Sequence, residues 1–331
     1  MNYFSYYLNN DLHNIVISYL SPNDITILLD TFKLHGINWN TVNFYYFNEY
    51  KNISVSEYLF KVNIDLLINS LQLNYTADEI LDGSNLKVLD LSDDEKLNVL
   101  DLSYKNIEEL SSEIGNLTTL KYLNLTENRI SRIPPEIGYL INLKGIYSYG
   151  NQILQVPPEI RELINLELLN FGSNQIKQVC IEICNLTKLN TLMLTSNLII
   201  ELPIEIGMLN NLNVLDLSSN QLIRLPKEIG RLNNLKNLHL DRNQIIELPR
   251  EIGNLISLES LHLDRNQIIE LPIEIGNLIN LKNLLISNNK ITKLPKEMGR
   301  LNNLERLFMF NNQITEIPVE MSNFINIVYR W

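Results

Sequence analysis

Beyond residue 96, apolar and polar positions follow a frame 23 residues long. The stretch Leu212-Asn-Val-Leu215-Asp-Leu217-Ser-Ser-Asn220-Gln-Leu222 is typical. Alternation from Val214 to Leu217 predicts a short strand. Leu215 and Leu217 point inward, while Val214, Asp216 and Ser218 take the other face. Asn220 then turns the chain, and its amide can satisfy backbone groups of the turn. In Leu225-Pro226-Lys-Glu228-Ile229-Gly230-Arg-Leu232, Pro226 stops the strand. Glu228-Ile229-Gly230 makes the return, with Ile229 and Leu232 sealing the far side of the core. The leading leucine recurs from Leu97 to Leu304. The turn asparagine recurs nine times without a slip, from Asn128 to Asn312.

One such coil cannot bury its own leucines, so neighbours must stack on it. A fixed period with this pattern resembles leucine-rich repeats. The resemblance implies an α/β leucine-rich repeat solenoid, a horseshoe with a concave parallel sheet, preceded by a small helical N-terminal region. Ten units run from Leu97 to Asn326, giving a sheet roughly 43 Å long at the usual strand spacing. Ile327 to Trp331 begin an eleventh strand, whose open edge is a dimerisation or aggregation liability, and Trp331 is a candidate cover for the last coil. The segments Leu202-Pro203-Ile-Glu205-Ile206-Gly207, Leu248-Pro249-Arg-Glu251-Ile252-Gly253 and Leu271-Pro272-Ile-Glu274-Ile275-Gly276 resemble those of Ras-group-related intracellular repeat proteins. Those proteins are interaction scaffolds.

Three regions are expected: 1–50, 51–96 and 97–331. In the first, Leu12, Ile15, Val16, Tyr19 and Leu20 share one helical face. Ser21-Pro22-Asn23-Asp24 has the residues of a second helix start. Residues 51–96 read as an N-terminal cap ending in a partial unit, Leu86-Lys-Val-Leu89-Asp-Leu91. The run from Leu8 to Ile25 resembles the first half of an F-box, with Asn9 where that family has Pro and no Val-Cys-Arg-Arg-Trp segment following. The resemblance implies docking of a Skp-type adaptor through Leu8, Leu12, Ile15, Val16, Leu20 and Pro22. A purely structural reading of these helices, as a cap on the first coil, stands beside it. The pairing of such an N-terminus with repeats is similar to repeat proteins of giant viruses of amoebae.

The chain has 331 residues, 45% of them hydrophobic, and a net charge of −11. No basic footprint for nucleic acid or for a membrane surface is present. No apolar run reaches the 18 residues a spanning helix needs. Met1-Asn2-Tyr3-Phe4 does not read as a signal peptide. The only cysteines, Cys180 and Cys184, stand where other repeats have Pro and Gly. They read as reduced thiols, which places the chain inside a cell, in the cytoplasm (the host cytoplasm if viral).

Chemistry is sparse. The constant period leaves no inserted loop to build a pocket, so no enzyme and no cofactor are expected. His239, Asp241 and Arg242 recur as His262, Asp264 and Arg265 one repeat later. Neighbouring strands place the two histidines about 5 Å apart, which raises a metal site. However, residues 238–249 are nearly copied as 261–272, so duplication of one coil explains the doubling. A polar patch without metal is the preferred reading. Aromatic residues mark both ends of the same face: Tyr122, Tyr147 and Tyr149 at one, Phe308 and Phe310 at the other. Exposed aromatics anchor partners, although the tyrosines could instead stack on one another. With Asp216 between them, these residues define the expected partner surface. The function expected is a protein-interaction scaffold using the concave face; the alternative is an F-box-type substrate receptor of a cullin ubiquitin ligase.

Overall fold

The computed structural model describes residues 99–324 and 328–329. The expected helical region, the cap, the partial unit, the F-box-like residues Leu8 to Pro22 and Trp331 lie outside these residues. Among the described residues, eleven strands form one parallel sheet in chain order. They are β1 (Val99–Asp101), β2 (Tyr122–Asn124), β3 (Gly145–Tyr147), β4 (Leu168–Asn170), β5 (Thr191–Met193) and β6 (Val214–Asp216). β7 (Asn237–His239), β8 (Ser260–His262), β9 (Asn283–Leu285), β10 (Arg306–Phe308) and β11 (Val328–Tyr329) follow. The array is thus a leucine-rich repeat solenoid. From β1 to β10 each step advances the register by one 23-residue frame, so Leu215 lies between Leu192 and Leu238. The last step is shorter, pairing Leu307 with Val328 and Phe308 with Tyr329.

From β1 to β10 each strand has its middle residue in the core. Leu123, Leu169, Leu192, Leu215, Leu238, Leu261, Leu284 and Leu307 are fully buried. The helical layer consists of single 3-10 turns, such as Lys227–Arg231. Pro226 precedes that turn in an extended conformation, and its carbonyl accepts from the N–H of Ile229 at 3.1 Å. Leu232 closes it by donating to the Ile229 carbonyl. Ile229 and Leu232 are both fully buried, sealing the core as expected. Glycine in the return lets neighbouring coils close up. A Cβ on Gly207 would stand 2.6 Å from the Glu228 carbonyl oxygen of the next turn.

The asparagine ladder ties coil to coil. Asn220 Oδ1 accepts from the N–H of Ile199 in the preceding coil at 3.0 Å. Its Nδ2 donates to the Leu194 carbonyl there (2.9 Å) and to Leu217 in its own coil (3.1 Å). The side chain is buried, so these bonds replace solvent for groups that cannot reach it. The same set repeats at Asn243, Asn266 and Asn289. A second, exposed ladder escaped the sequence reading. Asn211, Asn234, Asn280 and Asn303 each donate to a carbonyl 24 residues earlier.

Candidate functional site: the concave sheet face

The residues flanking each inward leucine form columns along the sheet. Strand register places Met193, Asp216, His239, His262, Leu285 and Phe308 in one column. Two residues further along each coil, Ser218, Asp241, Asp264, Ser287 and Phe310 line up beside them. Arg242 and Arg265 then take left-handed backbone, at φ 57° and 56°, immediately before the ladder asparagines. The turn therefore turns both guanidinium-bearing residues outward, and both are exposed.

The two histidines stack face to face, with ring centroids 4.3 Å apart and planes 8° from parallel. His239 Nδ1 lies 3.9 Å from Asp216 Oδ2, an ion-pair distance rather than a hydrogen bond. On the other side, Ser260 Oγ and His262 Nε2 are hydrogen-bonded at 3.0 Å. Burial, reinforced by His239, pushes His262 down to about 4. Burial would raise Asp216, but His239 and the Ser218 donors outweigh it and hold that carboxyl below its ordinary value. Ser218 donates to Asp216 Oδ1 from its N–H (2.9 Å) and its hydroxyl (2.6 Å). Asp241 and Asp264 move the other way, raised chiefly by burial. Asp264 still accepts from the Ser287 N–H at 2.8 Å.

This arrangement does little chemistry by itself. Ser260 and His262 form a hydroxyl–imidazole pair, yet Ser260 is buried, and an imidazole shifted to about 4 is a weak general base near neutrality. Among the described residues no group of three His, Cys, Asp or Glu side chains is placed to hold a metal ion. The cysteines are free, and burial raises Cys180 to about 11 and, with Cys180 nearby, Cys184 to about 12. Both stay protonated thiols near neutral pH.

The aromatic ends differ from each other. Tyr122 and Tyr147 are only 7% and 8% exposed, packed in one cluster with Val99 and Leu168. Of the two readings kept open for these tyrosines, Tyr122 and Tyr147 follow the packed one, whereas Tyr149 is 39% exposed. The cause is Gly145. A Cβ there would stand 2.8 Å from the Tyr122 ring, which lies over the bare backbone. The Tyr147 hydroxyl is buried without a hydrogen-bond partner among the described residues, and burial, with Tyr122 adding to it, raises its pKa. At the far end Phe310 is 39% exposed and Phe308 half-buried. Leu285 precedes Phe308 in its column, an apolar neighbour the sequence reading passed over. So were Glu259 and Lys282, whose charged groups meet at 2.6 Å across adjacent coils. Reading the chain in steps of 23 would have found both.

Residues 174–267 and 250–328 match a leucine-rich repeat region model, and residues 119–140 match a single leucine-rich repeat model. No curated protein sequence matches the chain significantly. Among solved structures, a leucine-rich repeat protein of Leptospira interrogans is similar, with 40% identity and a TM-score of 0.66 over 70% of this chain and 60% of that one. Two plant receptors are similar as well. The leucine-rich repeat ectodomain of the membrane receptor kinase GASSHO1/SCHENGEN3 from Arabidopsis thaliana, in complex with Casparian strip integrity factor 2, has 32% identity and a TM-score of 0.62. It is covered over 28% of its length, against 67% of this chain. The plant peptide hormone receptor RGFR1, in complex with RGF2, has 27% identity and a TM-score of 0.60, with 37% of it and 67% of this chain covered. The chain thus spans less than two thirds of each of these relatives. Among the described residues no helix is long and apolar enough to cross a membrane.

Proposed function

We propose that the chain is a non-enzymatic interaction scaffold that holds an extended protein segment on its concave face. The observation that carries this reading is the exposed Phe310 beside half-buried Phe308 and Leu285, continuous with the belt of Asp216, Asp241, Asp264 and the two histidines. An apolar ring exposed on a rigid sheet, as Phe310 is, is suited to anchoring a partner. Asp241 and Asp264, raised by burial, favour a partner that brings donors or positive charge to them. At the other end, Tyr149 contacts the partner, with Tyr122 and Tyr147 forming the wall behind it; Arg242 and Arg265 line the rim. Of the two similar plant receptors, one is in complex with Casparian strip integrity factor 2 and the other, a peptide hormone receptor, with RGF2, which supports the same mode here. The Leu-Pro-x-Glu-Ile-Gly returns and the two thiols favour an intracellular setting, in the cytoplasm. Affinity purification of the full chain from its native cell, with mass spectrometry, identifies the partner. Loss of that partner in a Phe308→Ser/Phe310→Ser variant is the expected result, and undiminished capture would refute the assignment.

A second reading rests on Leu8 to Ile25. This run supports an F-box-type substrate receptor that docks a Skp-type adaptor and presents concave-bound cargo to a cullin ubiquitin ligase. Under it, residues 1–50 form the adaptor-binding region, 51–96 the cap and 97–331 the repeats. A plain interaction scaffold would use 1–50 as a helical cap alone. A pull-down with the full chain and a Leu12→Asp/Ile15→Asp variant separates them. Adaptor captured by the first and lost from the second supports the ligase reading; no adaptor on the full chain, alongside an F-box protein that retains it, removes that reading.

A further inference from the structure

Three residues beyond each ladder asparagine, the chain carries a side chain on the flank of the coil, outside the concave face. In four consecutive coils this residue is isoleucine: Ile200, Ile223, Ile246 and Ile269, at 50%, 45%, 44% and 50% exposure. Their backbones form rungs of their own. Ile246 donates to the Ile223 carbonyl and Ile269 to that of Ile246, both at 3.3 Å, and Thr292 donates to Ile269 at 3.2 Å. The rungs join Ile223, Ile246 and Ile269, and Ile200 holds the equivalent place one coil earlier, so the four side chains make one apolar ridge, unlike the scattered apolar residues usual on a surface. The sequence-adjacent residues make a parallel charged column: Glu201, Arg224, Glu247, Glu270 and Lys293. Glu270 and Lys293 also pair through a backbone bridge.

The order of charges in that column is complementary to its own reverse. Set a second ridge against the first, antiparallel, with a two-fold axis through Ile246. Glu201 then faces Lys293, and Arg224 faces Glu270, each pair occurring twice. Ile246 meets its own copy, and Ile223 meets Ile269. Shifting the axis by half a repeat sets Glu201 against Glu270 and loses this match. Only Glu247 meets its like. An isologous contact requires this kind of self-complementarity. Charges of this sort fix register and orientation, while the apolar ridge supplies the attraction.

We propose that this flank binds a second copy of the chain, giving a two-fold dimer centred on Ile246 that leaves both concave faces free. The proposal stands independently of what the concave face binds. Sedimentation of the full chain over a concentration series tests it. The expected result is reversible dimerisation, abolished in Ile246→Asp with the circular dichroism spectrum unchanged. Arg224→Glu alone should weaken association by about tenfold, and adding Glu270→Arg to the same chain should restore it. Under mild oxidation Ile246→Cys should form a disulfide-linked dimer, whereas Ile200→Cys, which faces Thr292, should not. A chain monomeric at all concentrations would overturn the proposal. So would a dimer that survives Ile246→Asp, a folded double variant that stays weak, or cross-linking through Ile200→Cys in place of Ile246→Cys.

Discussion

His239 lies flat on His262, 4.3 Å between ring centroids, with a carboxylate on one outer side and a hydroxyl on the other. A proton on His262 would place charge on a half-buried ring. The downward displacement of His262 to about 4 gives this a sign. Unfolded, the imidazole takes its proton near 6.5; folded, it resists until about 4. The unfolded chain therefore binds more protons in that window, and stability falls as pH drops from 6.5 to 4, then levels off for this group. Because the ring is only half-buried, the loss is held to about 1–2 kcal/mol. Thermal melts of the wild type and His262→Gln at pH 7 and pH 4.5 should show a smaller acid-induced drop in the variant. An equal drop in both would assign the acid sensitivity to the carboxylates.

Asn220→Ala removes an acceptor for Ile199 and a donor to Leu194 and Leu217, all in a buried turn. The groups left behind have no route to water. The expected loss is roughly 1–3 kcal/mol in chemical denaturation. A variant as stable as the parent would mean that the backbone, not the side chain, holds adjacent coils in place.

Gly207→Ala places a methyl group against the Glu228 carbonyl of the following turn. Overpacking of this kind costs about 1–3 kcal/mol. The same change at an exposed return position, Lys227→Ala, should be nearly neutral by the same denaturation measurement.

Capture of the partner should separate the two faces of the array. Tyr149→Ser, or Phe308→Ser with Phe310→Ser, should weaken it by about tenfold or more, with the melting temperature little changed. Lys227→Ser, in the return, should leave it intact. Loss through Lys227→Ser alone would move the binding surface to the other face.

The fold was open to reading from sequence because its unit is local and its period unbroken. Once Leu215 and Asn220 are placed in one coil, stacking places every other leucine and asparagine column. The side-chain surface was harder, because its properties belong to neighbouring coils and not to any one of them. Tyr122 looks exposed within its own repeat; it is covered because Gly145, 23 residues later, leaves room for its ring. Asp216 and Asp241 occupy neighbouring coils with similar sequence but shift in opposite directions, since His239 and the two Ser218 donors act on the first while burial dominates the second. The isoleucine flank escaped notice for a related reason. Each residue alone is an ordinary exposed side chain, and only the column through Ile246 is unusual.

The invariant step between coils has a metric consequence. Tyr149 and Phe310 occupy equivalent places seven coils apart, so their separation along the sheet is seven strand spacings, roughly 34 Å. Excising one whole coil would shorten this distance by about 4.8 Å and rejoin the same leucine and asparagine contacts on either side of the cut. Inserting one would lengthen it equally. The distance between the two aromatic stations is thus graduated, adjustable only in whole marks, like a ruler. A partner gripping both ends would have its own two anchors measured against that scale.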